Sequence, residues 1–272
     1  MLHFRLWGGT IPSTEEEVAT YLAEHAQALK VATLIRRLAA LSAAHDSRQL
    51  PNPCRSPLIR ATRRGIRREV GTAQKQARPL LRDDLFEVLK ATGNSLKDFR
   101  DRALLLIGFA GGFRRSELCE INCTDIERVR QGIILTLRKS KTDQEALGRK
   151  IGIPFGRSKY CPVTALDQWL EVAGIDGGAI FRRLNRHGHV FSEVMSGEAV
   201  CHVVKQRVAL IGFDPAGYSG HSLRAGFATS AAKAGIQGWK IRAQTGHASD
   251  ALLSRYIRDG ELFVDNAAGV LL

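Results

Sequence analysis

The 272-residue sequence has no apolar run near the roughly 18 residues that a membrane-spanning helix needs, so it is not the sequence of a helical membrane protein. Its start, MLHFRLWGGT, lacks the apolar core and small-residue cleavage site of a secretory signal. Cysteine is scarce: there are five, Cys54, Cys119, Cys123, Cys161 and Cys201. None forms a CxxC pair, and no Cys/His set has the spacing of a zinc site, so neither a disulfide framework nor a structural metal is expected. Reduced thiols and a cytoplasmic, nucleoid-associated setting are the expectation. His187-Gly188-His189 reads as a solvated loop. Acid is short as well: 27 Asp and Glu stand against 40 Lys and Arg, a net charge of +13. A folded protein with that surplus usually meets a polyanion, and nucleic acid is the commonest.

Helical periodicity is what the sequence does have. Ser13-Thr14-Glu15-Glu16 offers a capping box of Ser13 with Glu16, followed by a stripe of Val18, Tyr21, Leu22 and Leu29. A second helix carries Leu34, Leu38 and Leu41 on one face. Pro51, Pro53 and Pro57 break it, and Ser56-Pro57 starts a third. That third segment, 57–70, holds Arg60, Arg63, Arg64, Arg67 and Arg68 against Glu69 alone. Positions 60, 64, 67 and 68 share a helix face. A solvated basic face is the ordinary reading, but this much charge with one acid favours phosphate contact. GTAQKQARPL, 71–80, reads as an interdomain linker. Beyond it, 81–92 and 98–110 read as core helices. Segments 132–138 and 149–154 read as strands around a polar hairpin loop. Further helices fit 162–172, 197–211, 221–234 and 249–257. The expected fold is mainly α with a small antiparallel β-hairpin or sheet, an α+β domain over 80–272 behind a small all-α domain over 1–76.

Four stretches carry chemistry. In SGHSLRAGF, His221 and Arg224 lie three apart in the first turn of a helix, where free N–H groups favour an anion. In GGFRRSELCEIN, Glu117 lies one turn from an arginine that it can hold rigidly; the bland alternative is a surface salt bridge of little worth. In RKSKTDQ, Lys139 and Lys141 approach the hairpin tip, from which a lysine can reach a site made elsewhere. In GHASDALLSRYIRD, Tyr256 sits between Arg255 and Arg258; by itself it reads as packing, on a stripe with Leu252, Leu253 and Ile257.

Taken in chain order, these stretches resemble the tyrosine recombinase (phage integrase) family over about 80–265. The 13–80 region resembles that family's helical core-binding domain. The resemblance assigns a catalytic set. Its first arginine is Arg114, not Arg115, because the family pattern places it three before the supporting Glu117. The hairpin lysine is Lys141, with Lys139 the other register. His221 and Arg224 form the HxxR pair, His247 fills a position that can also be Trp, and Tyr256 is the nucleophile. Tyr21 and Tyr160 lie elsewhere, and Tyr218 lacks the right order and spacing. The resemblance implies a site-specific recombinase or integrase that acts on double-stranded DNA as a homotetramer. Strands would be cut and rejoined through a 3′-phosphotyrosine, with no metal, ATP or other cofactor. A type IB topoisomerase-like nicking and closing activity shares the chemistry, and a truncated DNA-binding remnant would share the charge alone. Family members usually carry a further helix ahead of the one begun near Ser13. MLHFRLWGGT is too short for it and lacks a helical stripe, so a short N-terminal domain is expected. The apolar tail DNAAGVLL is expected to dock on a neighbouring protomer or on its own domain.

Overall fold

A computed structural model describes residues 1–71, 76–138, 148–247, 249, 253, 254, 256, 268 and 271. The chain divides into two compact units, Met1–Lys75 and Gln76–Leu272.

Unit one holds α1 (Leu2–Leu6), α2 (Glu15–Glu24), α3 (Val31–Asp46) and α4 (Pro57–Val70) around a core of Phe4, Tyr21, Leu22, Leu38, Leu41 and Ile59. The stretch expected to lack a helix forms α1, because Phe4 buries its ring against Gly9, where any Cβ would collide with it. The cap of α2 also differs from expectation. Thr14, not Ser13, accepts the helix N–H, from Glu17 at 3.2 Å. Ser13 instead gives its own N–H to Nε2 of the buried His45 at 3.1 Å. Leu29 lies past the end of α2 yet packs on the same core. Ser56 caps α4 as its sequence predicts, accepting from Ile59 N–H at 3.2 Å. Ile59 and Ile66 turn inward, two helical turns apart, which leaves Arg60, Arg64, Arg67 and Arg68 exposed. Arg63 departs from the expected basic face: it is half-buried and its Nε is covered. Glu69 accepts from Gln27, and among the described residues no carboxylate pairs with the four exposed arginines.

Unit two runs α5 (Arg82–Lys90), α6 (Leu96–Ala110), α7 (Arg115–Glu120), β1 (Ile126–Val129), β2 (Gly132–Leu137), β3 (Arg149–Pro154), α8 (Pro162–Val172), β4 (Arg182–Leu184), β5 (Val190–Val194), α9 (Gly197–Ala209), α10 (His221–Lys233) and α11 (Gly238–Thr245). It is mainly helical with small antiparallel sheets, β1-β2-β3 and β4-β5. In the larger sheet Leu135 stands opposite Ile126 on one side and Ile151 on the other. Helix α6 is the central element. Ala103, Leu104, Leu105 and Ile107 are all fully buried, too wide an arc for one amphipathic face, so partners cover it on several sides. Asp101, also fully buried, accepts from Arg100 and from Arg207 of α9. Arg207 reaches Asp98 as well, at 2.7 Å. The set bolts α9 to α6, and removing one partner from such a buried group costs about 3–5 kcal/mol.

The second half of the expected linker belongs to this unit. Arg78 N–H donates to Gly217 O at 2.7 Å and Leu80 N–H to Ser222 O at 2.9 Å. Leu80 is fully buried, and its carbonyl presses on Gly226 of α10, where no side chain would fit. Strands β1, β4 and β5 were not legible in the sequence, because β1 and β5 show no alternation of buried and exposed residues and β4 is three residues long. Among the described residues no helix is long and apolar enough to cross a membrane.

Candidate active site

Helix α6 ends in a turn that only glycine allows. Gly112 has φ +57, and a Cβ there would meet Thr245 Cγ2 at 2.8 Å. Phe113 buries its ring and fixes the next residue, Arg114, at the cap of α7. Glu117, whose side chain is 2% exposed, holds both ends of Arg114. Its Oε2 accepts the Arg114 N–H at 2.9 Å, and its Oε1 accepts Arg114 Nη1 at 2.5 Å. One carboxylate thereby fixes the guanidinium and the backbone that carries it. Arg114 Nη2 also donates to Gly246 O at 3.3 Å, across from α11. Arg149, the first residue of β3, flanks the same carboxylate at 3.7 Å and donates to Gln244 O at 2.8 Å.

Helix α10 delivers His221 and Arg224 to the same place. Arg224 is buried, with Nη1 donating to Gly112 O at 2.8 Å and to Thr245 O. Burial, then the Arg114 charge, pulls its guanidinium down to about 10, with Glu117 opposing, so it stays charged at neutral pH. His221 Nε2 lies 2.7 Å from Tyr256 Oη. Loss of water around the ring, then the Arg224 and Arg114 charges, lowers the His221 pKa, although the residue keeps exposed surface. The ring is therefore neutral at pH 7 and can accept a proton. Tyr256 is half-buried and packs on Ala228, Ala232, Ile241 and Leu253.

His247 follows Gly246, whose left-handed φ of +66 ends α11. A Cβ at Gly246 would run into the Arg149 guanidinium. The His247 ring stands 5.7 Å from the Tyr256 ring, with Nδ1 2.7 Å from Thr245 Oγ1. Burial first, then Arg224, Arg114, His221 and Arg149, pushes the His247 pKa down to about 3. A histidine depressed in the folded state protonates first in the unfolded chain. Its contribution to stability is therefore present above about pH 6.5 and is lost as pH falls toward 3, at up to about 1.4 kcal/mol per pH unit. Denaturant titrations at pH 7 and pH 5 are expected to show a larger acid loss for the wild type than for His247→Gln. Equal losses would contradict the burial argument.

Beside these groups opens a hollow of about 340 Å³ lined by Arg114, Arg115, Ser116, Cys201, Ser219 and His221. The structure thus brings Arg114, Glu117, His221, Arg224, His247 and Tyr256 into one cluster. Lys141 and Lys139 lie outside the described residues. Arg60, Arg63, Arg64, Arg67 and Arg68 belong to the other unit. Tyr218 is buried and stacked on Phe213, with burial and then Asp84 raising its pKa, the opposite of what an attacking phenol needs. Sequence reasoning missed Arg149 and Thr245, and it named Arg115 only to set it aside for Arg114. Only Thr245 had a local signal, since the Gly246 that follows it is the usual end of a helix. Two guanidiniums and two imidazoles around one hydroxyl suit a phosphate under attack.

The model of the phage integrase family matches residues 79–261. An integrase/recombinase XerD homolog of Selenomonas ruminantium is 39% identical over 267 residues, 94% of this chain and 77% of that one. Recombinase Cre of Escherichia phage P1 is 27% identical over 291 residues, 100% of this chain and 81% of that one. Among solved structures, a XerH site-specific recombinase in a post-cleavage complex with palindromic difH substrate aligns with a TM-score of 0.66 at 17% identity, covering 95% of this chain and 72% of that one. A lambda integrase dimer bound to a COC′ core site aligns at 0.60 and 22% identity, covering 90% and 65%. These two structural likenesses speak to the fold.

Proposed function

The chain belongs to the phage integrase family, and from that premise we propose that it is a site-specific recombinase of double-stranded DNA. One observation carries the mechanism: the Tyr256 hydroxyl lies 2.7 Å from a neutral His221 Nε2, beside Arg114 and Arg224.

Arg114 and Arg224 grip the non-bridging oxygens of the scissile phosphate and neutralise the charge that builds up there. Tyr256 Oη attacks phosphorus in line. The new bond joins phosphorus to the tyrosine oxygen, and the bond to the 5′ oxygen breaks. His221 takes the phenol proton. A free phenol has a pKa about 10, and burial with the Arg224 and Arg114 charges lowers that of His221, so proton transfer from phenol to imidazole is uphill before attack begins. The proton therefore moves as the phosphorus–oxygen bond forms, not before. Lys141 supplies the proton that the departing 5′ oxygen takes up. His247 donates to the phosphate from Nε2 in the tautomer that carries its proton there, and for that the Thr245 hydroxyl turns its proton from Ile241 O, its partner at 2.8 Å, to Nδ1. The product is a 3′-phosphotyrosine, whose ester keeps the energy of the broken bond. A 5′-hydroxyl from a second strand reverses the step, with no ATP, metal or other cofactor. Exchange between two duplexes calls for a homotetramer on DNA, which fits a nucleoid-associated role in the cytoplasm.

The all-α unit, 1–76, serves as the core-binding domain and 80–272 as the catalytic domain. Arg60, Arg64, Arg67 and Arg68 of α4 contact phosphates, and Arg63 supports the helix from its half-buried place. Changing Arg60, Arg64 and Arg67 together to Gln is expected to lower the slope of log affinity against log salt by about 2.7, three phosphate contacts' worth. An unchanged slope removes α4 from the interface.

The proposal as a whole is tested by incubating the protein with nicked duplexes tiled from the DNA flanking its gene, followed by denaturing gels. A protein–DNA band identifies both the chemistry and the site. DNA binding without any band supports the remnant reading instead. A band from a monomer that never pairs two duplexes supports nicking and closing.

A further inference from the structure

The mechanism leaves Arg115 idle, yet its position is built with care. It begins α7, next to Arg114, and its stem lies between two glycines. A Cβ at Gly197, the first residue of α9, would come within 3.3 Å of Arg115 Cγ and Cδ. One at Gly220, just ahead of α10, would come within 3.1 Å of Arg115 Cβ. A side chain at either position would press on the stem and make it give by a few tenths of an ångström. At the far end Arg115 Nη1 donates to Cys201 Sγ at 3.2 Å, and Gly220 N–H donates to the same sulfur at 3.3 Å. A thiol sulfur is a weak acceptor, so it steadies a guanidinium without neutralising it. Glu198 in the first turn of α9 is close enough to act on Arg115 electrostatically, but the two make no ion pair. The outcome is a cation held in place, exposed and, among the described residues, uncompensated by any carboxylate contact.

That cation lines the hollow of about 340 Å³, whose wall also includes Arg114, His221, Ser116 and Ser219. The volume falls in the range of pockets that hold a whole small ligand, so it exceeds one phosphate group. A strand whose scissile phosphate lies at Arg114 and His221 must continue past them, and its next phosphate is the anion nearest to hand. We propose that Arg115 binds this second phosphate of the same strand, with Ser116 and Ser219 hydroxyls as further donors. The inference rests on the recombinase reading of the neighbouring site. Arg115 is then a positioning residue: two fixed phosphates set the register of the strand, and register decides which phosphorus faces Tyr256.

The test is the salt dependence of binding of the full chain to a mixed-sequence duplex, read by fluorescence anisotropy over a range of KCl. Arg115→Gln is expected to lower the slope of log affinity against log salt by about 0.9, one phosphate contact, while Arg115→Lys keeps the wild-type slope. An unchanged slope in Arg115→Gln overturns the inference, even if its melting temperature falls, since a purely structural role moves stability alone. Should the Gln variant not fold, Arg115→Ala takes its place, alanine being the best helix former. Covalent adduct formation by the wild type reads the underlying proposal separately. Adducts together with an unchanged slope overturn only the role of Arg115. A lost unit of slope in a protein that forms no adduct overturns the phosphotyrosine chemistry and leaves Arg115 a phosphate-binding residue.

Discussion

Tyr256→Phe is expected to abolish covalent protein–DNA adducts while changing DNA affinity by no more than about twofold, because the hydroxyl makes the bond and the ring makes the packing. The ring rests on Ala228, Ala232, Ile241 and Leu253, and phenylalanine keeps those contacts. The hydrogen bond to His221 at 2.7 Å is lost, worth about 0.5–1.5 kcal/mol of stability. Folding therefore survives and chemistry does not. Denaturing gels read the adduct, and anisotropy on the same duplex reads affinity. Adducts that persist in the variant would mean that another residue attacks.

The second large effect belongs to Arg224. Arg224→Ala is expected to slow strand cleavage by about 10²–10³-fold or more and to weaken DNA binding far less, the mark of a group that acts on charge developing in the transition state. The substitution also leaves Gly112 O and Thr245 O without their Nη1 donor, a cost of about 1–3 kcal/mol each if nothing replaces it. Thermal melts must therefore accompany the kinetics. Arg224→Lys restores the charge but not the planar fork, so only partial recovery is expected. Equal losses of rate and affinity would reduce Arg224 to a phosphate contact.

The parts of this site that were legible in the sequence are those that one helical turn brings together. His221 and Arg224 share a helix face by spacing, and Glu117 meets Arg114 three residues away. The pattern from GGFRRSEL to SRYIRD could then be read as one order. What could not be read depends on partners far along the chain. Arg149 meets Glu117 and Gln244 only because β3 passes close to the end of α11, and nothing in RKIGIP announces that contact. Helix α11 itself escaped notice because GWKIRAQT buries only Ile241 and Thr245 and so carries no apolar stripe. The same limit explains the caps and edges. Ser13 had the spacing of a cap, but the buried His45 ring, 32 residues away, captured it and left Thr14 to the helix. The long core helices were read within two residues at most ends, since α6 and α8 carry enough buried residues to declare themselves.

The central claim, that Tyr256 carries a DNA strand by its 3′ phosphate, is tested most directly by mass spectrometry of the trapped adduct. The adduct would be digested with trypsin and nuclease, and the nucleotide-bearing peptide sequenced. The freed DNA end would be assayed in parallel for a 5′-hydroxyl with polynucleotide kinase. The account predicts a nucleotide esterified to Tyr256 and a 5′ end that the kinase labels directly. A nucleotide on Tyr218 or any other residue, or a linkage to the 5′ end with a free 3′-hydroxyl, would contradict it.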